Sequence, residues 1–277
     1  MDVDTSTGKM YVVHNNKEIY ILDARTGVKV GELPLTGVSG GTLTLIDVKC
    51  HKGRIYACNL KGATNSVLHV YEWTSDEAEP TCILNTSSTE GIARTGDCLG
   101  VSGDPAGQLV LSFAAADGDN TAIIEFTRNN GTWTSKKITA AGIKIGTSPR
   151  AIKTDNGYWL IGGEVLPTFV NASGVKQHAL SGESVVSGND IRTFSYDGKN
   201  YALVTSYLNK SNTSLADGCM NLYEVDSSWK GSDKVSMPSA GGRAIAPPHA
   251  TPHSRHRSPS IPAPNASKPG FWSRARA

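Results

Sequence analysis

A chain of 277 residues with 38% hydrophobic content is long enough for one sizeable domain, and 29 glycines with only 19% charged residues suit a turn-rich all-β protein. No apolar run approaches the ~20 residues needed to cross a bilayer, and the opening Met1-Asp2-Val3-Asp4 has neither the basic nor the apolar region of a secretory signal, so neither a membrane span nor a signal peptide is expected. The net charge of +2 divides into +6 on Arg243 to Ala277 and −4 on the rest, where 21 basic face 25 acidic groups, and a mildly acidic body argues against a nucleic-acid surface.

The first unit, residues 1–35, starts inside its innermost strand at Asp2-Val3-Asp4 and turns at Thr7-Gly8 into the alternating strand Lys9-Met10-Tyr11-Val12-Val13. Ile19-Tyr20-Ile21-Leu22-Asp23 follows, and the tight turn Ala24-Arg25-Thr26-Gly27 leads into Val28-Lys29-Val30. Period-2 strands joined by turns ending in Gly are hairpin signals, because Gly tolerates the positive φ that such turns need. A second unit, 43–85, repeats the order with Leu45-Ile46-Asp47-Val48, then Lys52-Gly53 and Arg54-Ile55-Tyr56-Ala57-Cys58. The third, 97–140, turns at Ala106-Gly107 and again at Asn129-Asn130-Gly131. In the fourth, 149–181, the turns fall at Asn156-Gly157 and Asn171-Ala172-Ser173-Gly174. The fifth, 190–230, turns at Asp197-Gly198 and shows three strands, with a fourth only weakly marked near Ser228 to Val235. From Gly8 to Gly198 the spacings are 45, 54, 50 and 41 residues, which are the lengths of propeller blades.

The sequence therefore predicts an all-β fold, a β-propeller of four-stranded antiparallel blades. About five blades are visible, expected to be part of an incomplete six- or seven-bladed ring spanning 1–242. In such an open ring the first and fifth blades should meet poorly, leaving Val3, Tyr11, Tyr201 and Tyr223 less buried than Ile46, Tyr56, Trp159 and Ile123. Residues 243–277 hold seven of the 13 prolines with five Arg and no acid. Proline lacks the donor that a strand ladder needs, so this segment reads as a disordered Pro/Arg-rich tail.

The pattern Asp4-x-x-Thr7-Gly8-Lys9-x-Tyr11-Val12, with Leu22-Asp23-x-x-Thr26-Gly27 one strand later, resembles secreted β-propeller proteins of gut and environmental Bacteroidetes, many of them domains of unknown function. The resemblance covers about residues 1–240. It implies an exported, often lipid-anchored parent protein, extracellular or periplasmic, engaged in glycan capture. A chain with no signal, no anchor and no closing blades reads as a truncated member of that group.

Few motifs offer chemistry. Gly37-Val38-Ser39-Gly40-Gly41 fits G-x-S-x-G, but a nucleophile elbow needs a strand before it and a helix after it, and here a Thr/Leu strand follows. The body histidines His14, His51, His69 and His178 are scattered, and the five cysteines form no CxxC pair, which leaves no triad or zinc spacing. Asp117-Gly118-Asp119-Asn120 places oxygen ligands close together, so Asp117, Asp119 and Asn120 are the candidate calcium ligands, without the bidentate Glu of an EF-hand. No other cofactor is indicated. Connections between the second and third strands, read as long and polar at Asn59 to Ser66, Ala114 to Thr121 and Ser206 to Gly218, lie on the same face as the blade-to-blade connections. Long loops on a rigid scaffold carry binding residues, and near the mouth of the central channel they place Arg94, Asp97, Arg150, Asn189, Asp190 and Arg192 as candidate ligand contacts. The expected function is a non-catalytic binding or scaffolding propeller for a glycan or another surface protein. The alternative is a propeller enzyme acting on carbohydrate or lactone substrates with carboxylates at the channel, although no acid is seen to recur at equivalent blade positions.

Overall fold

The computed structural model describes residues 1–62, 66–163, 165–180, 188–207 and 218–225, and all regular structure among them is β. Blade one is the sheet β1 (Asp2–Asp4), β2 (Lys9–His14), β3 (Glu18–Asp23) and β4 (Lys29–Glu32), paired antiparallel in chain order. Blade two is β5 (Leu43–His51), β6 (Arg54–Leu60), β7 (Leu68–Trp73) and β8 (Thr81–Thr86). Blade three comprises β9 (Gly100–Gly103), β10 (Leu109–Asp117), β11 (Asn120–Asn129) and β12 (Thr132–Ala140). Blade four holds β13 (Arg150–Thr154), β14 (Gly157–Gly162), β15 (Val165–Asn171) and β16 (Lys176–Ala179). Blade five has three strands among the described residues, β17 (Gly188–Tyr196), β18 (Lys199–Tyr207) and β19 (Gly218–Val225). The protein is an all-β propeller, with blade limits close to those expected from the glycine repeat. The fourth strand expected near 228–235 and the tail 243–277 lie outside the described residues.

The Asp-x-x-Thr-Gly signature explains two of the turns. In each, the Asp carboxylate accepts hydrogen bonds from the turn that follows: Asp4 from Ser6 N–H at 2.9 Å and the Thr7 hydroxyl at 2.9 Å, and Asp23 from Thr26 N–H at 2.7 Å. The chain then passes through glycines at φ 69° and 72°, where a Cβ would be strained. These Asx turns fix the hairpins locally.

Blades pack face to face through apolar side chains that alternate along each strand. Tyr11, Ile19 and Ile21 of blade one meet Leu45, Val48, Tyr71 and Trp73 of blade two. Blade two turns Tyr56, Cys58 and Val70 onto Leu109, Leu111 and Phe113 of blade three. Ala114 and Ile123 meet Tyr158 and Leu160 of blade four, and Trp159, Ile161 and Phe169 meet Ile191, Val204 and Tyr223 of blade five. The third and fourth blades are also clasped by a polar group. The buried Glu125 carboxylate on β11 takes the Lys153 ammonium and the Tyr158 hydroxyl, both from blade four, and the Lys136 ammonium at 3.0 Å.

Close strand packing leaves some backbone no room. A Cβ added at Gly157 would run into the Val170 carbonyl oxygen across the β14–β15 ladder, which cannot move without breaking pairing. Gly157→Ala should therefore destabilise the protein by ~1–3 kcal/mol in a denaturant titration; an unchanged midpoint would show that the fourth blade relaxes freely.

Two expectations are corrected. The innermost strands of all five blades line one axial cavity, so the ring has five blades and not six or seven. It is not left apart at its ends, because Arg192 of blade five reaches Asp2 of blade one, Nη2 to Oδ1, at 2.9 Å. Tyr11 and Tyr223 are accordingly buried, at 2% and 0% exposure, as fully as Tyr56, Trp159 and Ile123, since each belongs to a face already covered by its neighbour. Val3 is 41% exposed and Tyr201 half-buried, as is Ile46, with which they were contrasted. Phe194, stacked on Tyr201, is also 41% exposed. These exposed side chains mark the seam between blades one and five, where an ion pair, and among the described residues no apolar cluster, joins the faces. The second correction concerns Ala114 to Thr121. β10 runs to Asp117 and β11 resumes at Asn120, so the supposed long loop is a two-residue hairpin turn. Most of Ser206 to Gly218 lies outside the described residues.

Candidate functional site

Each blade contributes residues of its innermost strand to the channel. Asp2, Lys49, Cys50, Gly100, Arg150, Asp190 and Arg192, with short apolar neighbours, line a cavity of about 160 Å³. Asp47 lies directly behind it and is buried, with Lys49 buried beside it.

Three aspartates share one local geometry. Each accepts the N–H of the residue that follows it: Asp2 from Val3 at 2.9 Å, Asp47 from Val48 at 3.0 Å and Asp190 from Ile191 at 2.9 Å. Two of them also reach the next blade. Asp2 Oδ2 accepts Cys50 N–H at 3.0 Å, and Asp47 Oδ2 accepts Leu99 N–H at 3.0 Å. Charge partners complete the belt. Lys49 Nζ is 3.3 Å from Asp47, and the Arg150 guanidinium stands between Asp47 at 3.9 Å and Asp190 at 2.5 Å. Arg192 bridges Asp2 at 2.9 Å and Asp190 at 3.5 Å. These contacts join blade one to blade two, blade two to the entry of blade three, blade four to blade five and blade five back to blade one, and Arg150 of blade four also faces Asp47 of blade two.

Burial by itself would raise the Asp47 carboxyl, but the Lys49 ammonium and the Arg150 guanidinium hold it below the usual carboxylate range. Burial raises the Cys98 thiol, and Arg150 Nη2 lies 3.4 Å from its sulfur. A general acid needs the opposite tuning, a carboxyl held protonated near neutral pH.

Of the residues expected from sequence, the structure brings Arg150, Asp190 and Arg192 together. Asn189 lies on β17, and its side chain is outside the described residues. Arg94 and Asp97 form a bidentate pair with each other, with Arg94 Nε 2.8 Å from Asp97 Oδ2, on the connection between blades two and three; they do not line the cavity. Asp117 pairs with Lys137 at 3.3 Å, and Asn120 Oδ1 accepts Gly142 N–H at 3.0 Å, leaving Asp119 in the turn between them. Among the described residues no group of three or more His, Cys, Asp or Glu is placed to hold a metal ion. The G-x-S-x-G segment connects β4 to β5: Ser39 N–H donates to the Tyr71 hydroxyl at 3.0 Å, and no helix follows.

Asp2, Asp47 and Lys49 were missed. A signal for them exists: Asp2-Val3 and Asp47-Val48 each stand six residues before the turn glycine, Gly8 or Gly53. Asp190-Ile191 stands eight before Gly198, because β17 pairs without a break from Asp190 to Tyr196 and so runs two residues further before its turn than β5 does from Asp47 to His51.

A crystal structure of a DUF4623 family protein from Bacteroides eggerthii is similar to this chain, with a TM-score of 0.65 and 18% identity. The similarity covers 81% of this chain and 53% of that one, so this chain spans about half the length of that relative. A GH32 beta-fructofuranosidase from Bombyx mori is similar at a TM-score of 0.48 and 7% identity over 85% of this chain and 61% of that one. A GH43 beta-xylosidase/alpha-arabinofuranosidase from a compost microbial metagenome follows at 0.40 and 12%, over 70% and 76%. No curated protein matches the sequence. The profile of DUF4623, a domain of unknown function, matches residues 11–235, and the chain belongs to that family.

Proposed function

We propose that this propeller is a non-catalytic binding domain that takes a glycan end at the channel mouth, within an exported parent protein. The observation that carries this reading is the mixed-charge belt Asp2, Asp47, Lys49, Arg150, Asp190 and Arg192 at a cavity of about 160 Å³. Sugar hydroxyls both donate and accept, and a rim that presents guanidinium donors beside carboxylate acceptors matches them. The volume is below the ~300 Å³ at which pockets for drug-sized ligands begin, which suits a single terminal ring rather than a run of sugars. A hydrolase reading is disfavoured, because the channel carboxylates are occupied by backbone N–H groups and cations, and Asp47 is tuned away from a general acid.

Arg192 is the accessible member, with 45% of its side chain exposed. On a glycan array, Arg192→Ala should reduce the signal of any bound glycan ~10-fold, the loss of one charge-assisted contact, while the loss of its half-exposed ion pair with Asp2 should cost only about 1 kcal/mol of stability. Binding that is unchanged in this variant would remove the channel mouth as the site.

A further inference from the structure

The channel is balanced in charge but not in hydrogen bonds. Three carboxylates offer six oxygens, and these already accept five backbone N–H groups, those of Val3, Cys50, Val48, Leu99 and Ile191. A carboxylate spent on the backbone has few lone pairs left for side-chain donors. The cations are correspondingly short of acceptors. Lys49, buried, has three N–H groups and among the described residues its ammonium meets Asp47, at 3.3 and 3.4 Å to its two oxygens. Among the described residues Arg150 Nε is buried with no acceptor, Nη1 lies against Asp190 without hydrogen-bond alignment, and Nη2 meets the Cys98 sulfur at 3.4 Å. Both residues line the cavity. Leaving buried donors unsatisfied is unfavourable, more so for charged groups, and an acceptor placed in the cavity would recover that cost.

We propose that the ligand group entering this cavity is a carboxylate, and that the sugar it belongs to is a hexuronate at the end of a glycan. This rests on the binding reading given above and adds to it the charge of the ligand. A carboxylate has acceptors and no donor, so it answers the surplus on Lys49 and Arg150, whereas a neutral hydroxymethyl group at the same place would bring a further donor.

Isothermal titration calorimetry of the full chain with glucuronate, galacturonate, glucose, galactose and acetate tests this. A uronate should bind at least tenfold more tightly than its neutral counterpart and than acetate, and its affinity should fall as sodium chloride rises. Lys49→Met should abolish that preference. Arg192→Gln, at a partly exposed position that spares the buried network, should weaken it, and Arg94→Ala should leave it unchanged. Equal or tighter binding of the neutral sugar, lost in Arg192→Gln, would overturn the carboxylate while leaving the channel as a sugar site. Acetate binding as tightly as a uronate would overturn the sugar. Binding of none of the five, or binding indifferent to both channel variants, would overturn the channel reading itself and this proposal with it.

Discussion

Asp47→Ala should destabilise the protein by about 3–5 kcal/mol, more than any other single change in the channel. The carboxylate removed is buried, takes two backbone N–H groups and pairs with a buried ammonium, so its loss strands Val48 N–H, Leu99 N–H and Lys49 together. For a domain of this size, each kcal/mol moves the thermal midpoint by ~2–4 °C, so the expected drop is on the order of 10 °C. Asp47→Asn keeps an acceptor and should cost roughly half as much. The exposed pair of Arg94 and Asp97 supplies the contrast: Arg94, whose side chain is 62% exposed, should cost under ~1 kcal/mol when changed to Ala. Equal effects of Asp47→Ala and Arg94→Ala would mean that the channel belt does not hold the blades together.

The second large effect is pH-dependent and lies between blades three and four. Burial would raise Glu125, but the Lys153 ammonium, the Tyr158 hydroxyl and the Lys136 ammonium hold its carboxyl down at about 2, below the ordinary 4.5. A depressed carboxyl binds its proton more weakly folded than unfolded, so its stabilising contribution is fully present above about pH 4.5 and is lost as the pH falls toward 2. Wild-type stability should fall across this window. Glu125→Gln should lose on the order of 2 kcal/mol at pH 7 and much less at pH 2.5, so the two acid-unfolding curves converge. Parallel curves separated by a constant amount would assign the effect to packing rather than to charge.

What the sequence made legible is what is encoded locally. Asp4-x-x-Thr7-Gly8 and Asp23-x-x-Thr26-Gly27 carry their own turns, because the Asp side chain bonds the residues two and three positions on and Gly takes the positive φ, so blade limits emerge from spacing alone. Arg150, Asp190 and Arg192 were reachable because each lies at or just after a blade-to-blade connection, on the innermost strand of its blade. Asp2, Asp47 and Lys49 were not. The backbone partners of Asp2 and Asp47 lie 48 and 52 residues away, and the longer strand after Asp190 keeps the six-residue spacing shared by Asp2 and Asp47 from recurring there. Ring closure was misjudged for a related reason. Strand alternation shows which face of blade five is apolar, yet the ion pair that joins it to blade one among the described residues comes from the Arg192 guanidinium, which looks like any surface charge in the sequence. At Asp117-Gly118-Asp119-Asn120 the cluster of turn-forming residues suggested a loop, but a two-residue hairpin uses the same residues, and the pairing of Ala114 with Ile123 and Ala115 with Ala122 decides it.

The most direct test is a crystal structure of the protein grown with a glycan retained on the array. Ligand density is expected in the axial cavity, with oxygen atoms within hydrogen-bond distance of Arg150 and Arg192 and with Lys49 in reach. Density confined to the outer strands, or to the cleft between blades one and two beside Lys9 and Asp76, with the axial cavity holding only water, would contradict the channel reading.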